Sequence, residues 1–282
     1  MALPVTRSLV EEAGAALAGD GWRYTPRQLY YATCARAETP PSDAVANGEI
    51  GLGVLLVLIG LILIGIKVAF VLLVSLGAAL VLAGVVGRLR RPTLTGRLLA
   101  LSFDEFTSRF GDIELPGLIG PGTAPLAPLP TGASTVTVIC DTPETATLVA
   151  MNLEKAALGT ATVMAAPEAT TATLAGRAIV LHDASPRGCA LVLDLRDAGL
   201  AVEDAGLRPS EVDGPTHQVL EGAPARLPRD LSALLRPDEL EWLLAGRRVE
   251  VATLPPEVVM DRVIAAIRRP ESPRDDAQPP AR

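Results

Sequence analysis

"RAIVLHDASPRGCALVLDLRDAG", Arg177 to Gly199, opens as a short apolar, β-branched run, ends in the polar pair His182 and Asp183, and continues as a helical pattern. A strand that delivers an acidic residue at its carboxyl end and then enters a helix is half of a βαβ unit. The same order stands upstream. "TVTVIC" (135–140) reads as a strand, "PETATLVAMNLEKAAL" (143–158) as a helix and "TATVMAAP" (160–167) as a second strand. Strands alternating with helices predict an α/β domain on a parallel sheet, in which ligands sit beyond the carboxyl ends of the strands. Asp141 and Asp183 fall at two such ends.

N-terminal to this domain the pattern is helical. Residues 7–19 form one short helix, and a second begins where Thr25 can cap and Pro26 can take the first helical position. "LTGRLLALSFDEFTSRFGDIE" (94–114) gives a third, and the Pro- and Gly-rich "LPGLIGPGTAPLAPLPTGAS" (115–134) reads as a linker. The expected organisation is a helical module over 1–47, an apolar segment over 48–91, a third helix over 92–112 and a linker over 113–133. An α/β domain follows over 134–268, then a charged, Pro-rich, disordered tail over 269–282.

From Ile50 to Gly87 the only charged residue is Lys67. About 20 residues cross a hydrocarbon core of about 30 Å, so this run predicts two transmembrane helices turning near Gly65 and Lys67. A buried hairpin inside a water-soluble core is the other reading of the same pattern. Gly77, Ala78, Ala79 and Gly84 would allow close helix packing. Arg88, Arg90 and Arg91 mark the cytoplasmic side by the positive-inside rule. The expectation is a multi-pass protein of the inner membrane with the bilayer as partner and both termini cytoplasmic.

A formal charge of −7 and a pI near 5.0 exclude a chain wrapped in nucleic acid and restrict any such contact to a local patch. Cys34, Cys140 and Cys189 are odd in number and lie in apolar or helical runs, which argues against a disulfide framework and for a reducing compartment. The N-terminal residues carry Glu11 and Glu12 where a signal peptide would be apolar. P-loop, H-E-x-x-H, G-x-S-x-G and C-x-x-C patterns are absent, so ATPase, zinc and serine-hydrolase readings have no support in the sequence.

Four fragments, in order, resemble the A subunit of the type IIB topoisomerases (topoisomerase VI) and its meiotic relatives. "RQLYY" (27–31) is similar to the family's R-x-x-Y-Y motif on a winged-helix module. "IVLHDASPRG" (179–188) resembles the aspartate-rich strand end of a Toprim domain. "AGLRPSEV" (205–212) looks like the family's G-L-x-P-S-D stretch, and "RRVEVATLPPEVVMDRVI" (247–264) like its closing E-x-x-x-L segment. The resemblance covers most of the chain outside the apolar segment. It implies a winged-helix-like module joined to a Toprim-like α/β domain. It further implies Mg²⁺ as cofactor, DNA as ligand, a second subunit and a homodimer as partners.

The resemblance assigns the nucleophile's place to Tyr31. Arg27 stands four residues before it on the same helical face and is the residue that would assist it. Hard Mg²⁺ prefers carboxylate oxygen and water, and the family pattern puts its ligands at Asp141 and at a D-x-D pair. Here that pair reads Asp183 and Ser185, a hydroxyl where the family has a carboxylate. His182 is open to reading as a ligand or base, or as a packed, hydrogen-bonded residue. Tyr30 and Tyr31 are equally open to reading as a helix's packing face. The function so implied is a membrane-anchored relative of the topoisomerase VI A subunit, binding DNA with degenerate or partner-dependent strand cleavage by tyrosine transesterification. The alternative is a non-catalytic membrane protein that keeps the Toprim-like fold as an interaction platform.

Overall fold

In the computed structural model, residues 4–38, 75, 78, 100–120, 136–158, 161–166, 177–212 and 218–269 are described. The sheet has four strands, β1 (Val136–Cys140), β2 (Thr162–Ala165), β3 (Arg177–Leu181) and β4 (Val202–Asp204), all parallel, in the order β2-β1-β3-β4. Alternate residues feed opposite faces. Val138 and Cys140 join Leu148, Val259 and Val263 in one cluster, while Ile139, Met164 and Val180 join Val192 and Leu195 in another. Burial on both sides is why these strands read as unbroken apolar runs.

The covering helices begin where the sequence supplies caps. Helix α4 (Pro143–Asn152) follows β1 and starts at Thr142, whose hydroxyl accepts the Thr145 N–H. Helix α5 (Pro186–Asp197) follows β3 and starts at Ser185, whose hydroxyl accepts the Gly188 N–H at 3.0 Å. In both, proline occupies the first turn, where a missing N–H costs no hydrogen bond. Helix α6 (Pro209–Val212), the short antiparallel pair β5 (Leu220–Glu221) and β6 (Arg247–Arg248), helix α7 (Pro237–Leu244) and helix α8 (Pro256–Arg268) complete the domain.

Helices α1 (Arg7–Ala18), α2 (Pro26–Ala37) and α3 (Phe103–Phe110) share their own apolar cluster, in which Tyr30 and Tyr31 are each 3% exposed. Polar contacts fasten this cluster to the α/β domain. Asn152 Oδ1 accepts the Arg23 N–H and its Nδ2 donates to the Arg23 carbonyl, both at 2.9 Å. Gln28 Nε2 donates to the Leu254 carbonyl at 2.9 Å, and Arg27 reaches Glu144 and Glu250. The start of the expected linker is part of the fold: Tyr24 and Leu118 form a parallel bridge and Ile119 is buried in the α/β core.

Two expectations are corrected. Among the described residues no helix is long and apolar enough to cross a membrane. The longest with described bounds, α8, has 13 residues, about 20 Å of helix against a core of about 30 Å. The two-helix transmembrane hairpin as part of the fold class, and the multi-pass inner-membrane location with cytoplasmic termini, are therefore not supported. Residues 50–87, read as the hairpin, lie outside the described residues except Ser75 and Ala78, which are helical and exposed. The beginning of the expected third helix, the linker from 121 onward and the tail from 270 also lie outside them.

Candidate functional site

The connection leaving β1 runs to β2 on one side, and the connection leaving β3 runs to β4 on the other. The carboxyl ends of β1 and β3 thus flank a topological switch point, where α/β sheets open a crevice. Cys140 and Leu181 are in register at those ends, so Asp141 and the pair His182–Asp183 leave the sheet side by side. The Asp183 N–H donates to Asp141 Oδ2 at 2.8 Å, and the Asp141 N–H to the Leu181 carbonyl at 3.1 Å. Asp183 Oδ1 in turn accepts the Val251 N–H at 2.6 Å.

This arrangement holds two carboxyl groups out of water and against each other. Burial first, and Asp141 next, push the Asp183 carboxyl up to about 8, against the pull of the Val251 N–H. Burial also raises Asp141, against its hydrogen bond from Asp183 and the nearby His182. Like charges that share a site cannot both ionise freely, so the pair retains a proton at neutral pH. The second oxygen of Asp141, Oδ1, is buried without a hydrogen-bond partner. A buried carboxylate oxygen with no donor is a ready acceptor for a cation.

His182 is 1% exposed, and its two ring nitrogens fix its charge. Nδ1 faces the Asp183 carbonyl at 2.7 Å and Nε2 faces Asp204 Oδ1 at 3.0 Å. A carbonyl only accepts, and Asp204 is ionised by donors from Gly206 and Arg208, so both nitrogens carry hydrogen. His182 is an imidazolium. Burial disfavours that cation, but the Asp204 hydrogen bond and charge outweigh it and raise the histidine. Burial likewise opposes the Asp204 carboxylate, which His182 nonetheless holds down at about 2. His182 is thereby occupied as a packed, ion-paired residue beside the two aspartates.

A cleft of about 430 Å³ opens at this edge, between the N-terminal turns of α2 and α4 and the segment after β6, with Asp183 on its wall. Arg27 stands in it, bonded through Nη1 to Glu250 Oε2 at 3.0 Å and through Nε to Glu144 Oε2 at 3.4 Å. Its backbone N–H also donates to Glu144 Oε1 at 3.2 Å, and its guanidinium lies 4.6 Å from the Phe103 ring centre. Burial works against this cation, while Glu250 and then Glu144 more than compensate. Burial first, then the negative charge of the same Glu250, hold the Tyr31 phenol far above the usual tyrosine range. Tyr30 donates to the Leu101 carbonyl at 2.8 Å and packs on Phe103 and Phe106.

The structure therefore brings Asp141 and Asp183 into one cluster and Arg27 and Tyr31 into a neighbouring one, with Glu250 between them. Ser185 Oγ serves as the cap of α5. The three cysteines are free and buried, with Cys34 and Cys189 pushed up by burial to about 12, so none is poised as a nucleophile. Among the described residues no group of three His, Cys, Asp or Glu side chains is assembled around a metal position. Mg²⁺ commonly takes one or two carboxylates and completes its shell with water and phosphate oxygen. Asp141, with its unpartnered oxygen, and Asp183 fit that pattern.

Glu250, Glu144 and Asp204 were not legible as site residues. Glu250 stands inside the E-x-x-x-L segment, but its partner Arg27 is 223 residues away in sequence. Glu144 looks like an ordinary first-turn acid on a capped helix. No protein-family model, curated protein or solved structure matches the chain.

Proposed function

We propose that the carboxyl edge of the sheet is a divalent-cation-dependent binding site for a phosphodiester, with the DNA backbone as ligand, and that strand cleavage is switched off in the conformation described. The observation that carries this reading is the Asp141–Asp183 pair, fastened together at the switch point with Asp183 on the wall of an open cleft. An anion entering alone would meet the carboxylates of Glu144 and Glu250 against a single guanidinium that both already hold. A cation between the aspartates and the phosphate reverses that balance, supplying positive charge where the chain has little of its own. Asp141 and Asp183 would hold it, and His182 fixes their backbone through its bond to the Asp183 carbonyl. The order of the four motifs, similar to the topoisomerase VI A subunit, supports DNA as the phosphodiester.

Tyr31 is 3% exposed and burial holds its phenol far above the usual tyrosine range, so it is neither ionised nor open to a phosphate in this conformation. That observation, with Ser185 used as a helix cap, favours a second reading, a platform that keeps the fold without the chemistry. Fluorescence anisotropy of a labelled duplex at low salt separates the two. The expected result is binding with Mg²⁺ or Mn²⁺, lost in EDTA and in Asp141→Asn. Binding that ignores both the chelator and the substitution, or no binding in any condition, overturns the cation-dependent reading and leaves the platform.

A further inference from the structure

Both carboxylate oxygens of Glu144 are spent on one residue, Arg27, which lies 117 positions away in sequence. Oε1 accepts the Arg27 backbone N–H at 3.2 Å, and Oε2 faces Arg27 Nε at 3.4 Å. Arg27 is second in α2, so that N–H is one of the first-turn donors a helix cannot satisfy within itself. A backbone N–H beside a guanidinium makes a fork for two oxygens of a single anion. Arg27 and Glu144 both line the cleft of about 430 Å³, together with the hydroxyl-bearing Thr25, Thr142 and Thr145. The two carboxylates on this guanidinium are not equivalent. Glu250 meets Nη1 at 3.0 Å with a side chain 16% exposed, whereas the Glu144 side chain is 36% exposed. Both Glu144 contacts are also longer than the roughly 2.7–2.9 Å of a strong charge-assisted bond. Glu250 is the anchor of Arg27 and Glu144 the looser occupant.

We infer that Glu144 is an internal pseudo-ligand, an autoinhibitory carboxylate that occupies the Arg27 fork and that the phosphodiester displaces on entering the cleft. This rests on the cleft as a phosphodiester site, not on the cation, and it adds the regulation of that site. A phosphodiester carries two non-bridging oxygens and one negative charge on a single phosphorus. It can therefore replace the carboxylate donor for donor, one oxygen on the Arg27 N–H and the other on Nε. Glu250 keeps Nη1 throughout, so the guanidinium stays in place during the exchange. The displaced Glu144 side chain, already more than a third exposed, turns to water and is not stranded. An occupied fork lowers the apparent affinity for ligand by the fraction of molecules in which it is free. Taking the charge from Glu144 therefore strengthens ligand binding. Glu144→Gln does so while keeping an amide oxygen for the Arg27 N–H.

Anisotropy of a labelled duplex with the full chain, at low salt with Mg²⁺, tests this in wild type, Glu144→Gln, Glu250→Gln, Arg27→Gln and the double variant of Glu144 and Arg27. Glu144→Gln is expected to bind several-fold more tightly than wild type, and Glu250→Gln to show no such gain, because it loses the anchor of Arg27. In the Arg27→Gln background the Glu144→Gln gain should vanish. An equal gain in Glu250→Gln means that only the summed charge of the cleft matters, and it overturns the pseudo-ligand role. A gain that persists without Arg27 overturns it too. The second readout is the ¹⁵N signal of Arg27 Nε–H, assigned by its loss in Arg27→Gln. It should shift along the duplex isotherm in wild type, and binding with that signal static overturns the displacement. Wild-type binding with an unchanged affinity in Glu144→Gln overturns this inference and leaves the phosphodiester site standing. Binding by Glu144→Gln but not by wild type supports the inference and refutes the cation's role in admitting the ligand. No binding by either overturns both.

Discussion

The Asp183 N–H donates to Asp141 Oδ2 at 2.8 Å, so the residues that end the two central strands are joined to each other and not merely neighbours. One backbone donor cannot satisfy two carboxyl groups. The result is a pair in which Asp183 keeps its proton up to about pH 8, with burial as the first cause and Asp141 as the second.

That protonation sets the sign of a pH effect. An aspartate ordinarily titrates at 3.8 and Asp183 rises to about 8 in the fold, so between those limits the folded chain holds a proton the unfolded chain has released. Its contribution is full below about pH 4, declines as pH rises through 8, and is constant above. Asp183→Asn stays neutral throughout and keeps an oxygen for the Val251 N–H. Thermal denaturation should show the variant more stable than wild type at pH 9, by roughly 2–4 °C for each kcal/mol relieved, with the difference shrinking toward pH 4. A difference that does not change with pH would refute the shared-proton account.

Asp204 is the principal counter-charge to a cation that is 1% exposed. Removing one partner of a buried ion pair costs about 3–5 kcal/mol, because the other is left uncompensated. Asp204→Ala should lose about that much in urea denaturation at pH 6. The loss should shrink as pH rises, because without Asp204 the burial of His182 favours its neutral form.

Gly206 lies directly on the His182 ring, and a Cβ there would run into it. Overpacking of this kind costs about 1–3 kcal/mol. Gly206→Ala should fall in that range, whereas Gly199→Ala, with open space around it but a φ of +83°, should lose less.

The tyrosines offer a spectroscopic check. Burial raises Tyr24 to about 12 and lifts Tyr30 and Tyr31 further. Absorbance near 295 nm should show no phenolate below about pH 11, followed by all three together as the fold opens, against about 10 for a free tyrosine. A single group titrating near pH 10, and missing in Tyr31→Phe, would show Tyr31 to be accessible.

The sequence by itself determined the parallel α/β core, because runs such as Arg177–Leu181 and Val136–Cys140 are apolar on both faces and are followed by Thr142 or Ser185 as caps and by proline in the first turn. It also placed Asp141 and Asp183 at strand ends, since those positions follow directly from where each apolar run stops. It did not reveal the strand order, which pairs β1 with β3 and so makes those two ends adjacent. Nor could it show Glu250 holding Arg27, or Asp204 paired with His182. Each of those contacts joins segments 22 to more than 200 residues apart, and local pattern carries no information about which distant carboxylate will be brought to a buried cation. The apolar length of residues 50–87 predicted a transmembrane hairpin on composition alone, whereas the helices that the tertiary structure describes are too short and too polar to cross a bilayer. Local pattern fixes where an apolar run starts and stops, and only the assembled fold decides which distant residues meet at its end.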